Sequence, residues 1–180
     1  DKGLQVLKCF RFFGVASVDA WRRQYENQVA AYRSSEKFKL NPGPAAAWLR
    51  KAEQKATELH CEPFNRAGFK SALSDLRDLT NEADPNVFVD RLVEICASNG
   101  VAVVFLPNPP KCPASGATRW LTKEKAMLVL SLRHKSNDHL WFTFFHEAAH
   151  LLLHGKKLMF VEGIEGSKEE SEKKANEFAS

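Results

Sequence analysis

The run Trp141-Phe142-Thr143-Phe144-Phe145-His146-Glu147-Ala148-Ala149-His150-Leu151-Leu152-Leu153 constrains this chain most, because it sets two histidines and a carboxylate inside a stretch that is apolar on every side. A helix apolar all round is buried in a core. Polar groups buried there cost on the order of several kcal/mol unless they are hydrogen-bonded or ligated. At i and i+4 the imidazoles of His146 and His150 lie ~40° apart on the helical wheel, near enough to bind one metal ion. Glu147 then stands beside them, placed to take a proton from a metal-bound water. Zinc satisfies all three groups at once. The competing reading is a pair of core histidines bonded to backbone carbonyls, with Glu147 reaching solvent.

A catalytic zinc site takes three protein ligands and keeps the fourth position for water, so a third ligand is expected elsewhere. Glu172 is the candidate. The segment Ser167 to Ala179 opens with a capping box, Ser167 to Glu170, and then reads as a helix. Along it Glu172, Ala175, Asn176 and Ala179 share one face, with Phe178 on the flank, while Lys173, Lys174 and Glu177 stay wet. That face is the one able to pack on the zinc helix. Asn176, one turn after Glu172, is placed to accept the ring N–H of a ligating histidine. An ordinary charged surface helix is the alternative. His154 extends the histidine stripe but is not expected to be a ligand, because it lies ~12 Å along the axis from His146. Ala148 and Ala149 either let backbone approach the metal or pack against neighbouring helices.

The pair of motifs His146-Glu147-Ala148-Ala149-His150 and Glu172-x-x-Ala175-Asn176-x-Phe178-Ala179 resembles the ImmA/IrrE family of zinc metallopeptidases. Gly116-Ala117-Thr118-Arg119-Trp120, Leu128 to Arg133 and Asp138-x-x-Trp141-Phe142 extend the resemblance, which covers about residues 86 to 180. Phe12-Phe13-Gly14-Val15 and Trp48-Leu49-Arg50 resemble the linker region of members that carry a phage-repressor-like helix-turn-helix domain at the N-terminus. The resemblance implies a gluzincin-type fold, zinc bound by His146, His150 and Glu172, Glu147 as general base, and cleavage of a repressor or antitoxin protein. It equally implies an alternative, a non-hydrolytic zinc-binding sensory or structural domain of a helix-turn-helix regulator or antitoxin. A metal-free protein-interaction domain that keeps a peptidase shape is a third reading. The start at Asp1 and the stop at Ser180, eight residues past Glu172, read as a domain cut from a longer regulator and truncated at its C-terminal end. DNA would then be met only through a module outside this chain. No Tyr, His or Arg follows Glu172 to stabilise an oxyanion; Arg119, Arg133, His139 and His60 are the upstream candidates, and no spacing singles one out.

Composition bounds the setting. With 180 residues, 44% of them hydrophobic, the chain can bury one core and a small helical annex. No segment approaches the ~18 uninterrupted apolar residues of a membrane span, and no signal peptide opens the chain, so a soluble cytoplasmic protein with no membrane partner is expected. Cys9, Cys61, Cys96 and Cys112 are scattered without a C-x-x-C pair, as expected of reduced thiols rather than a zinc knot or a disulfide framework. The net charge is +4, and residues 1–60 hold eleven Lys and Arg against six Asp and Glu. That excess is compatible with nearby DNA without being diagnostic of it.

Periodicity predicts a short amphipathic helix from Leu4 to Phe13 ended by Gly14, a second from Asp19 to Arg33, a polar linker from Ser34, a third helix from Pro44 to about Leu59, a fourth from Phe69 to Leu79 and a fifth from Asn86 to Ser98 capped by Gly100. Val101 to Leu106 is a β-branched run too short for a helix, and strands at about 117–122 and 126–133 follow a proline-rich loop between Pro107 and Pro113. The zinc helix comes next, with Asp138 as its cap and Gly155 as its end. The expected fold class is α+β: mostly helical, with a small sheet of about three strands packed on the buried zinc helix. Residues 1–40 form an N-terminal helical and linker segment and residues 41–180 the metallopeptidase-like domain. One of the two strands before Asp138 is expected to offer its edge to an extended substrate.

Overall fold

Three strands, β1 (Val101–Phe105), β2 (Gly116–Trp120) and β3 (Ala126–Leu130), carry the sheet, and a two-residue strand β4 (Phe160–Val161) extends it in the order β1-β3-β2-β4. The computed structural model describes residues 1–26, 42–82, 84–131, 137–153, 160–161 and 169–179. β1 runs parallel to β3 with Val101 opposite Ala126, β2 is antiparallel to β3 with Gly116 opposite Leu130, and β4 is antiparallel to β2 at Ala117 and Thr118. The sheet thus has the three expected strands and a fourth that no alternation signals, since two residues carry no period.

Helices cover both faces of the sheet, which is why β1 and β3 read as continuous apolar runs rather than alternating ones. Ala102, Val104, Ala117, Met127 and Val129 pack on one face against Trp48, Leu49, Ala52 and Ala56. Those four belong to a helix that spans Pro42–Glu58 and begins two residues before the expected Pro44. Val101, Val103, Ala126, Leu128 and Leu130 face the other way, toward Phe69, Leu73, Leu76, Phe88, Leu92, Trp141, Phe144 and Phe145. In chain order the helices are α1 (Lys2–Phe13), α2 (Val18–Trp21, continued by a π-helical turn over Arg22–Glu26), α3 (Pro42–Glu58), α4 (Arg66–Leu79), α5 (Pro85–Ala97), α6 (Asn137–Leu153) and α7 (Glu169–Ala179).

Local chemistry sets several of these boundaries. Asn65 caps α4 by accepting from the Gly68 N–H, so that helix starts three residues before the expected Phe69. Asp84 caps α5 ahead of Pro85 at its first turn. Gly14, in the left-handed region at φ +67°, ends α1. α6 begins at Asn137, which puts Asp138 inside its first turn rather than at the cap. At the other end of α6 the Arg66 guanidinium donates from Nε and Nη2 to the Leu152 carbonyl, at 3.2 and 2.7 Å, and satisfies a carbonyl that the helix itself cannot.

The N-terminal elements dock on α3. Arg50 Nε donates to the Phe12 carbonyl at 2.9 Å, and Tyr25, 1% exposed, donates its hydroxyl proton to the Phe13 carbonyl at 3.0 Å. Beneath them the buried carboxylate of Glu53 is held by Arg50 and by Arg119 of β2. The later part of the expected Asp19–Arg33 helix, the linker from Ser34, the boundary at 40/41, and Arg133, His154, Gly155 and Ser167 lie outside the described residues.

Candidate metal centre

α6 is apolar on nearly all sides, with only Phe142 and Leu153 of its larger apolar side chains exposed, and it brings His146, Glu147 and His150 into the core at 1%, 0% and 2% exposure. Helical spacing puts the two imidazoles one turn apart, with their rings 4.7 Å centroid to centroid at 76° and their Nε2 atoms 3.0 Å from each other. Both rings therefore point the same nitrogen at one buried spot.

The outer nitrogen of His146 is held from another helix. Its Nδ1 lies 2.9 Å from Oδ1 of Asn176 on α7. An amide oxygen can only accept, so this bond places the ring proton on Nδ1 and leaves the Nε2 lone pair for a metal or a donor. α7 reaches this position because Ala175, fully buried, lets the helix approach closely, while Phe178 and Ala179 pack on the same cluster as Phe144 and Phe145. Glu172 lies on α7 one turn before Asn176, on the same side of the helix; its side chain is outside the described residues. Among the described residues no three metal-ligating side chains cluster. The two imidazoles with their converging nitrogens, one ring oriented from behind, still form a donor set suited to a divalent cation.

β2 supplies the other wall. A Cβ built on Gly116 would come within 2.7 Å of Thr143 Cγ2, 2.9 Å of Glu147 Cγ and 3.2 Å of Glu147 Oε1. Glu147 thus lies directly against the start of β2, a contact that no spacing in the sequence signals. Ala148 joins the apolar cluster between α6 and the sheet.

The candidates for oxyanion stabilisation separate by position. Arg119 alternates with Thr118 and so lies on the sheet face opposite α6, committed to Glu53 of α3; it cannot reach the histidines. His60 stands exposed past the end of α3, 3.8 Å from Glu62. His139, in the first turn of α6, borders a small depression with Ser115, Ser131 and Thr143, two helical turns from His146. β3 is enclosed by β1 and β2, and β2 by β3 and β4, the last pairing with it at Ala117 and Thr118, so neither of the two strands before Asp138 is the edge strand that was expected to accept an extended substrate.

The cysteines take no part in this centre. Cys9 is exposed, Cys61 partly so, Cys96 and Cys112 are buried, and burial pushes the thiols of Cys61 and Cys96 up. No helix among the described residues is long and apolar enough to cross a membrane. Comparison with curated proteins and with solved structures gives no match. Comparison with family models does: residues 96–180 match the IrrE N-terminal-like domain, Peptidase_M78. The matched stretch holds α6, α7 and all four described strands, and the segment carrying His146, Glu147 and His150 is similar there to a metallopeptidase-like domain of the IrrE N-terminal-like family.

Proposed function

We propose that the protein is a zinc-dependent endopeptidase in which His146, His150 and Glu172 hold the metal and Glu147 is the general base. The observation that carries this reading is the convergence of two imidazole Nε2 atoms, 3.0 Å apart, at a buried spot, with Asn176 behind one ring. Zinc bound there supplies a Lewis acid that polarises a peptide carbonyl and acidifies a water. Asn176 keeps the His146 proton on Nδ1, so that Nε2 retains its lone pair. Glu147 takes a proton from the attacking water and returns it to the leaving amine, a shuttle that a carboxylate can make and an amide cannot. Gly116, having no Cβ, leaves Glu147 its place against β2. The substrate class is a repressor or antitoxin protein, with DNA reached only through a helix-turn-helix module outside this chain.

A second reading has a specific observation in its favour. Glu147 is 0% exposed and both histidines are at most 2% exposed, which suits a zinc-binding sensory or structural domain that hydrolyses nothing. The substitution Glu147→Gln separates the two. The endopeptidase is expected to keep its fold and about one zinc per chain in this variant while losing cleavage of the partner repressor, because the amide keeps size and hydrogen bonding without basicity. His146→Ala and His150→Ala are expected to lose the metal under either reading. Normal regulation by Glu147→Gln, with no substrate cut by the zinc-loaded wild type, would reject the peptidase in favour of the binding domain.

A further inference from the structure

We propose that Arg77, on α4 and outside the family-matched segment, is the positioning residue that clamps α7 onto α6 and thereby keeps Asn176 on the Nδ1 of His146. The inference deepens the metal-site reading and rests on it for its consequence in zinc affinity. Arg77 donates from Nη2 to the carbonyl of Phe178 at 2.9 Å, and its guanidinium carbon lies 4.7 Å from the ring centroid of Phe145. Phe178 stands two residues after Asn176, and Phe145 is the neighbour of His146 in the chain. One guanidinium therefore bridges both helices within two residues of each partner of the Asn176–His146 hydrogen bond.

The chemistry suits this task. A charged guanidinium that donates to a main-chain carbonyl makes a stronger bond than a neutral donor does, so Arg77 holds the turn of α7 that carries Phe178. The flat face of the same group rests on Phe145, so the clamp is planar on one side and directional on the other, a combination that lysine cannot reproduce. α4 meets α6 through the apolar cluster that includes Phe69, Leu73, Leu76, Phe144 and Phe145, which gives Arg77 a fixed base. Without it α7 keeps Ala175, Phe178 and Ala179 in the core but loses its cross-link to the outside of α6. The amide oxygen of Asn176 must stay within hydrogen-bond reach of the imidazole, and the helix position of Glu172 moves with it.

The test reads two signals in the whole chain. The Nδ1–H proton of His146 is followed by NMR in metal-free protein, assigned by its disappearance in Asn176→Ala, and zinc affinity is measured by competition with a chelator. Wild type and Trp48→Phe are expected to show the proton protected from exchange. Trp48→Phe removes a 3.1 Å hydrogen bond to the Leu106 carbonyl on the opposite sheet face and controls for a general loss of stability. Arg77→Ala is expected to lose the signal and to bind zinc about tenfold more weakly, with Asn176→Ala weaker by roughly 10–100-fold. Arg77→Met, which keeps an apolar stem over Phe145 but no donor, serves if the alanine variant fails to fold and is expected to behave like it. Retention of the protected proton without the Arg77 guanidinium overturns the proposal, as does its loss in Trp48→Phe. If the wild type binds no zinc while Arg77→Ala still loses the proton, the metallopeptidase reading falls and the positioning role stands.

Discussion

Gly116 shows how little room surrounds the Glu147 carboxylate. Its missing Cβ is the gap into which Thr143 and Glu147 fit, so Gly116→Ala must either push Glu147 aside or lift β2 from α6. The side chains in the way are partly able to yield. We expect a loss of about 1–3 kcal/mol, the usual penalty for adding a methyl group to a packed site, together with a fall in peptide hydrolysis larger than that of a stability-matched core variant. Urea unfolding and turnover, measured on the same preparation, check both halves; unchanged turnover would detach Glu147 from its wall. At this scale the histidines and Glu147 were legible from their spacing and their apolar surroundings. Asn176 was placed by the same helical logic on a face expected to meet α6, and its oxygen lies on the His146 ring. Gly116 was legible only as part of a resemblance, because its contact depends on which sheet face meets α6.

Elements meet at turns that sequence marks well and at pairings that it marks badly. Gly100, at φ +81° between α5 and β1, was expected as a cap, and it also takes a second burden: a Cβ there would overlap the backbone of Phe64. Backbone cannot rotate away as a side chain can. Gly100→Ala is therefore expected to cost about 2–4 kcal/mol, combining left-handed strain with the clash, and to be more destabilising than Gly116→Ala. Paired urea melts decide, and the reverse order would show that the 62–65 segment moves aside more easily than its hydrogen bonds from Glu62 to Ala97 and from Asn65 to Asn99 suggest. Helix starts were read too late where a polar cap precedes the first apolar residue, as at Asn65. The enclosed position of β3 was not readable at all, since strand order follows from which apolar faces meet rather than from any one segment.

Across the whole molecule, the family-matched segment is only part of the core. α3 closes the sheet face formed by Ala102, Val104, Met127 and Val129, and the N-terminal helices close over α3 through Tyr25, Arg50 and Glu53. Burial raises the Tyr25 phenol above its ordinary value, and the nearby Glu53 carboxylate adds to the shift, against the lowering pull of Arg50 and Arg119. The linkage follows in sign: the folded state holds this proton more tightly than the unfolded state, so the contribution is fully present below about pH 10, the ordinary phenol value, and is lost as pH rises through the raised one. We expect the docking of α1 and α2 to weaken in that alkaline window and Tyr25→Phe to remove the pH dependence. Phenolate absorbance of wild type minus Tyr25→Phe, followed with amide exchange in α1, tests it; a Tyr25 titration at or below pH 10 would contradict it.

By itself the sequence determined the helices that became α1, α3, α4, α5, α6 and α7 to within a few residues, the three main strands, the burial of the His146–His150 helix and the face of α7 that meets it, because these depend on periods of 3.6 and 2 and on the cost of burying polar groups. Tertiary structure alone decided that Arg119 turns from the histidines toward Glu53, that β3 lies enclosed between β1 and β2, that Gly116 walls Glu147 and that Arg77 reaches both Phe145 and Phe178. Periodicity assigns a residue to one of two faces. Which face meets which helix is settled only when distant apolar surfaces pack together, and no local pattern carries that information.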